Sequence, residues 1–584
     1  MSEPDDVKSE KHEDIEEISN KGFFADMLTK MDSRYPKVME KLRDIRIQAV
    51  ILFFVMAIFY INLIIWDFYF SADSMTYGLQ LKYWFEGQGI SNEELFRPAH
   101  PLTMPIAILF TYLMIPLIGH NYLLSYAILD SLLGALAVSL FYLVCNVFIP
   151  NRKFGLICAL GLAFSFTFWE NQEMAEDRSL AWVVLVLYMP LVFSYVGEFQ
   201  PFKWFEKLKV WQKGFVTGLF LGLVISVHFS LVLLILFTLI LGWRYHGLKY
   251  FKSRDFFWFI IGCALVSGIV YLLVAMALGV SNLNEFIGMF FGYYTGSKGA
   301  QFFSLSDPGS FSLTVALRGM AGGVFTAFFF YISNNPLYQS LIIGIWAIMI
   351  LFLAFVFINE RKNKVISSFF FIYAIWFGHF IFFAPDDRNS WAFLLVPFWL
   401  SVCICMDFVP KDGLNLILFK RKIPDRIAKS FWQIMTIFVV ILFVNNTIVF
   451  ANAHFNHDEK EKFVNFLESK TQDDDVLVVV DSSTGMFFNY YSDIEPVNYI
   501  LLVTEPSFSN YVNTSFNNNR TIYVGEFWLL DSYVKVGSGR HEQTYDARLK
   551  LHREYVAKFN SMYTYNLTYT YEWSDIYIIT GRIE

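Results

Sequence analysis

The chain has 584 residues, 55% of them hydrophobic and 17% charged, with 65 Phe, 32 Tyr and 15 Trp. Globular chains average roughly 45–50% apolar and about 25% charged residues, so this composition excludes a disordered, collagen-like or disulfide-stapled chain. Apolar runs near 20 residues recur along most of the length and exclude a plain soluble enzyme, and a formal net charge of −7 offers no basic surface for nucleic acid.

Residues 1–20 are acidic and lack aromatics, which predicts disorder. Residues 22–46 read as a short amphipathic helix with a basic end, which places the N-terminus in the cytoplasm. No cleavable signal precedes the first apolar run near Ile47, so the first span is expected to serve as the targeting signal. Spans are predicted at 47–66, 122–148, 154–169, 180–197, 213–228, 229–243, 255–279, 337–358, 365–383, 391–408 and 430–451. The apolar stretches 101–120, with three prolines, and 313–334, with Arg318 and GMAGG, carry helix breakers and stand apart.

Loop charges set the topology. Segment 198–213 has four Lys against two Glu, 244–254 has four basic groups and no acid, and 409–429 has six basic groups against two acids. By the positive-inside rule these loops are cytoplasmic. Loop 67–100, with five acids against two bases, and loop 170–179, with four acids and one Arg, face outward. The assignment requires both 101–120 and 313–334 to return to the outer side, as re-entrant or surface-lying elements. The five cysteines, Cys145, Cys158, Cys263, Cys403 and Cys405, all lie in apolar runs and read as buried hydrophobes.

After the last span charge rises and apolar runs shorten. A helix at 457–470, strands at 476–481 and 521–527, a helix near 543–560 and two short strands around 567–580 predict a small α/β domain. The expected fold is an α-helical polytopic membrane protein. It comprises a cytoplasmic tail at 1–46, a transmembrane domain at 47–451 with about eleven spans and two re-entrant elements, and an extracytoplasmic α/β domain at 452–584.

Ionisable groups in or beside a span are costly and usually line a functional cavity. Four constellations qualify, all on the outer face. The first is the loop holding Asp67, Asp73, Tyr77, Arg97 and His100, where Tyr77, Leu81 and Phe85 repeat at helical spacing. A helix is expected to start near Ser71–Asp73, with Asp73 as a first-turn acid or a general base. The second is Glu170, Glu173, Glu176 and Asp177, expected in one short loop; crowded carboxylates bind a cation, share a proton or face a positive partner. A helix through them would put Glu173, Glu176 and Asp177 on one face. The third is His228, where two spans meet, and the fourth is Arg388 at the mouth of a span, whose planar fork suits phosphate. No Gly-rich nucleotide loop is present, so an outward-facing transferase would draw on a donor carried by a lipid phosphate.

In this order the residues resemble the GT-C superfamily of polytopic glycosyltransferases, closest to the protein O-mannosyltransferase-like branch. Asp73-Ser74 matches its acidic motif after the first span, and His100-Pro101 its HPP-like motif. Thr167-Phe168-Trp169 with Ala175-Glu176, Gly222-Leu223 with His228, and Arg388 with Pro397 match the later ones. The likeness covers about residues 47–410; Leu102 replaces the second Pro of HPP, and Arg178 stands where the family has Tyr. The resemblance implies transfer of a hexose such as mannose from a polyprenyl-phosphate donor to a protein or glycolipid acceptor. It makes Asp73 the catalytic base with Glu176 in support. His228 and Arg388 would contact the donor phosphate, and Tyr77, Arg97, His100 and Asp177 would line the donor or acceptor pocket. Some members use a divalent cation and others none. If one is used, Mg or Mn on Asp73, Glu173 and Glu176 is the expectation. The alternatives are a lipid or polysaccharide transporter, which shares the spans and charges, and a catalytically inactive relative.

Overall fold

The computed structural model describes residues 44–66, 72–174, 176–198, 202–295, 364–380, 391–412, 415–416, 421–422, 430–472, 475–479, 490, 495–498, 506–525, 560–571 and 574–583, and four single positions between 344 and 358. Helices run in chain order as α1 (Ile45–Trp66), α2 (Ala72–Phe85), α3 (Thr103–Ile118), α4 (Tyr122–Phe148), α5 (Arg152–Phe164), α6 (Phe166–Glu173), α7 (Ser179–Tyr195) and α8 (Val210–Val227). After a 3-10 turn at Phe229–Val232 come α9 (Leu233–His246), α10 (Arg254–Ala277), α11 (Leu283–Thr295), α12 (Lys364–Phe380), α13 (Leu395–Asp412) and α14 (Phe431–Glu468). Among the described residues six helices are long and apolar enough to cross a membrane, seven if the bent pair α5–α6 counts as one span. The chain is a multi-pass membrane protein. The predicted stretch 313–334 lies outside the described residues, as do residues 1–43 and nearly all of the span 337–358.

Helix α4 is central, with α1, α2, α3, α5, α6 and α7 packed around it. Large apolar side chains remain exposed on the outer helices, such as Phe54, Leu113, Phe257, Leu273 and Ile437. A bilayer solvates such faces at no cost, so their exposure fits the membrane setting. The other close pair is α8 with α10. Gly214, Gly218 and Gly222 repeat every four residues along one face of α8, and a Cβ on Gly218 would stand 2.1 Å from the Phe259 carbonyl oxygen of α10. This is backbone-on-backbone packing, which small residues at that spacing permit.

The expected single span 154–169 is two helices bent by 62° at Ser165. A break at membrane depth frees carbonyls that lipid cannot satisfy. Here protein supplies the donors: Tyr60 Oη donates to the Ala163 carbonyl at 3.0 Å and Asn446 Nδ2 to that of Phe164 at 2.6 Å. The Ser165 hydroxyl donates to Gly161 at 2.7 Å and accepts from Trp399 Nε1 at 2.9 Å. Asn446→Leu would orphan the part-buried Phe164 carbonyl at membrane depth, and thermal unfolding in detergent is expected to register a loss of about 1–3 kcal/mol. An unchanged transition would mean that the bend holds without this donor.

The stretch 101–120 forms the 16-residue helix α3 with Pro116 inside, shorter than the roughly 20 residues of a full crossing. The sequence boundary at 452 is not a break, because α14 continues unbroken for 38 residues from the last apolar run to Glu468. Beyond it a five-stranded sheet has the order β4-β3-β5-β7-β6, where β3 is Val476–Val479, β4 Glu495–Asn498, β5 Ile522–Gly525, β6 Tyr563–Tyr571 and β7 Ser574–Arg582. A two-residue pair, β1 (Asn415–Leu416) and β2 (Arg421–Lys422), precedes it. Strand β3 pairs in parallel with β4 and β5, and the antiparallel hairpin β6–β7 adds to β5. The two strands expected to be short are nine residues each, β4 and helix α15 (Pro506–Asn517) were not expected, and the helix expected near 543–560 lies almost wholly outside the described residues. Leu467, Leu477, Tyr523 and Ile576 of this domain share one buried cluster with Met75, Tyr77 and Leu81 of α2 and Met104 and Ala107 of α3. Tyr490 adds polar contacts, accepting from the Leu123 amide at 3.0 Å and, through its carbonyl, from Lys82 Nζ at 3.2 Å.

Candidate functional site

Helix α2 starts where the sequence predicts, with Asp73 in its first turn; the Asp73 side chain, Asp67 and Arg388 lie outside the described residues. One turn further on, Tyr77 is buried. Its hydroxyl donates to Asp177 Oδ2 at 3.0 Å and lies 3.0 Å from His100 Nε2. His100 Nδ1 is 2.9 Å from the same carboxylate oxygen. Arg97 lies over the Tyr77 ring, its Cζ 4.8 Å from the centroid, an arrangement favourable to a cation.

His228 ends α8 in an extended conformation, where the chain turns into the 3-10 turn, and the Phe229 amide donates to the Ala99 carbonyl at 2.7 Å. That bond ties the α8 end to the Arg97–His100 turn and leaves the two imidazole centroids 5.9 Å apart. Phe393 meets the His228 ring edge-on at 4.9 Å. Burial pushes the His228 imidazole down to about 3, so the ring is neutral. Burial also works against charge on Asp177, but His100 and Arg178 beside it hold its carboxyl well below the usual range.

The acidic segment is not one loop. Glu170 and Glu173 belong to α6, which ends at Glu173, and Glu176 and Asp177 follow it outside any helix or strand. A shared helical face for Glu173, Glu176 and Asp177 is therefore absent, because α6 stops before it can carry them. All four acids are buried. Glu173 accepts a very short hydrogen bond from Trp169 Nε1. Glu176 Oε2 pairs with Arg178 Nη1 at 2.9 Å, and the same nitrogen lies 3.8 Å from Asp177 Oδ1. The segment is gripped by α4: Asp130 Oδ2 accepts from the Glu176 amide at 2.7 Å, Tyr126 Oη donates to the Glu176 carbonyl at 3.0 Å, and Ser131 Oγ donates to that of Gln172 at 2.8 Å.

Of the residues predicted from sequence, Tyr77, Arg97, His100, Asp177 and His228 converge on one buried cluster, with Glu176 at its edge through Arg178. Glu173 sits apart, bonded back to its own helix. Among the described residues the group able to hold a cation is His100, Asp177 and His228; the set expected from sequence includes Asp73, whose side chain lies outside the described residues. Sequence reasoning passed over Asp130, Tyr126 and Ser131, although an acid inside the apolar run 122–148 is itself the signal for such a residue.

No family model matches the sequence, and no curated protein does. Solved structures resemble this one in architecture: the fold is GT-C-like. One neighbour is ArnT from Cupriavidus metallidurans bound to undecaprenyl phosphate, with a TM-score of 0.53 and 11% identity over 91% of this chain and 97% of that one. Another is the Archaeoglobus fulgidus oligosaccharyltransferase in the apo form, with a TM-score of 0.51 and 11% identity over 90% of this chain and 74% of that one.

Proposed function

We propose that the protein is a membrane glycosyltransferase that moves a sugar, a hexose such as mannose, from a polyprenyl-phosphate donor to an acceptor hydroxyl on the outer face. The observation that carries the reading is the buried cluster of Tyr77, His100, Asp177 and His228 flanked by Arg97 and Arg178, set in a GT-C-like fold. Undecaprenyl phosphate bound to the ArnT neighbour supports a lipid-phosphate donor. A protein or a glycolipid supplies the acceptor, the N-terminus is cytoplasmic and the C-terminal domain is extracytoplasmic.

In the reaction the acceptor oxygen attacks the anomeric carbon, the bond from that carbon to the phosphate oxygen breaks, and the lipid phosphate leaves. Asp73, in the first turn of α2, takes the acceptor proton as general base. The departing phosphate is dianionic, so its stabilisation needs fixed positive charge in a dry site. Arg97 lies at the cluster and Arg178 beside it, and Arg388 is the third cation for this role. Glu176 holds Arg178 in place at 2.9 Å. His228, neutral and apolar on its Phe393 side, shapes the donor phosphate pocket, and Tyr77, His100 and Asp177 form its hydrogen-bonded wall.

The test is sugar transfer in purified membranes from radiolabelled polyprenyl-phosphate-mannose and polyprenyl-phosphate-glucose. Wild type is expected to transfer, and an equally stable Asp73→Asn to lose at least ~100-fold, because a lost general base costs about 10²–10⁴-fold. Equal transfer by both removes Asp73 as the base. Lipid binding without transfer by either points to an inactive relative or a transporter.

A further inference from the structure

We propose that His100, Asp177 and His228 form a binding site for a divalent transition-metal ion, with Zn2+ as its preferred occupant. The three side chains come from three separate parts of the chain: the turn after Arg97, the link between α6 and α7, and the end of α8. Each offers one ligand atom, and these atoms lie within 4.8 Å of one another in a buried setting. Ligands on a tetrahedral zinc at about 2.0–2.1 Å sit roughly 3.4 Å apart, so the site closes by roughly 1 Å on binding. The backbone carrying them is pinned by the Phe229–Ala99 bond on one side and the Glu176–Asp130 bond on the other.

The surroundings fit an ion. A ligating histidine usually has its second nitrogen bonded to an outer partner, which fixes the ring. His100 has that arrangement, with Nδ1 toward Asp177 and Nε2 at 3.0 Å from the Tyr77 hydroxyl. Asp177 Oδ1 is buried and has no hydrogen-bond partner among the described residues. His228 Nδ1 accepts from the Ser230 amide at 3.3 Å, at the long limit for such a bond, so little holds that ring against turning toward an ion. Three protein ligands would leave a fourth position for water or an anionic oxygen, the open arrangement of reactive zinc sites.

The donor set selects the ion. Mg2+ demands oxygen ligands in near-ideal octahedral geometry, whereas imidazole suits Zn2+ and its late first-row neighbours. Two imidazoles and one carboxylate therefore favour zinc over the Mg or Mn expected from sequence. This inference stands independently of sugar transfer, because ion binding is read without any donor or acceptor.

The test uses the full-length protein in detergent, stripped with a chelator and titrated with Co2+ as a spectroscopic probe. The expected result is a visible d–d band of low-coordinate cobalt that equimolar Zn2+ removes and excess Mg2+ does not. Mass-spectrometric metal analysis is expected to find one zinc per chain after dialysis. Asp177→Asn and His228→Ala, checked by gel filtration, are expected to weaken binding by more than the ~10–100-fold that loss of an outer partner costs. Monodisperse wild type that gives no cobalt band and retains no zinc overturns the proposal and leaves the cluster as a proton-sharing group. Unchanged zinc affinity in both variants overturns it too, by placing the ion elsewhere.

Discussion

Asp130→Ala is expected to remove most transfer activity and to lower stability, whereas Asp130→Asn is expected to retain both. Asp130 holds the cluster through Glu176. It acts through the backbone, accepting from the Glu176 amide at 2.7 Å from within the central helix. Alanine leaves that buried N–H without its acceptor, which costs about 1–3 kcal/mol. It also frees the segment that aims Glu176, Asp177 and Arg178, and a misplacement of about 1 Å costs on the order of 10²-fold in rate. Asparagine keeps an acceptor oxygen at the same reach. Measuring kcat and the thermal midpoint for both variants separates the cases. Equal losses in Ala and Asn would show that Asp130 matters for its charge and not for its grip on the loop.

Gly218→Leu is expected to be the most disruptive change in the membrane domain. Its Cβ would stand 2.1 Å from the Phe259 carbonyl oxygen, and backbone cannot swing aside as a side chain can. Gly262 of α10 faces the Phe215 carbonyl in the same way, at 2.4 Å, so the two helices interlock in both directions. Overpacking typically costs about 1–3 kcal/mol, and a clash with main chain belongs at the upper end or beyond. Separation of α8 from α10 would also carry away His228, which ends α8. Gly268→Leu is the control, since nothing lies within 4 Å of its Cβ. Thermal unfolding of the two variants should differ by several degrees, and matching transitions would mean that the α8–α10 contact does not hold the fold.

Much of this architecture was readable because the bilayer imposes simple rules. The apolar runs at 47–66, 122–148 and 255–279 correspond to α1, α4 and α10 within a few residues. Tyr77, Leu81 and Phe85 revealed α2 through their spacing, and His228 was correctly placed where two helices meet. The bend at Ser165 escaped because Tyr60, Trp399 and Asn446 stabilise it from far along the chain, and Phe164 and Phe166 look alike in a hydropathy profile. The end of α6 at Glu173 escaped for a related reason: Asp130, 46 residues earlier in sequence than Glu176, captures the amide that helical continuation would have used. The Gly214, Gly218, Gly222 repeat was visible in the sequence, but only the backbone of α10 explains it. The union of two histidines and Asp177 had no local signature, since its members are 77 and 51 residues apart.

The unbroken course of α14 has a consequence for reach. At about 1.5 Å per residue its 38 residues extend about 57 Å, and the hydrocarbon core takes up about 30 Å of that. Roughly 25 Å of rigid rod therefore stands clear of the apolar layer, with the sheet at its far end bearing back on α2 through Leu467, Leu477 and Ile576. A rod without a joint fixes the clearance between roof and membrane. Under the proposed transfer, that fixed clearance favours a slender acceptor, such as an extended peptide segment or a lipid headgroup.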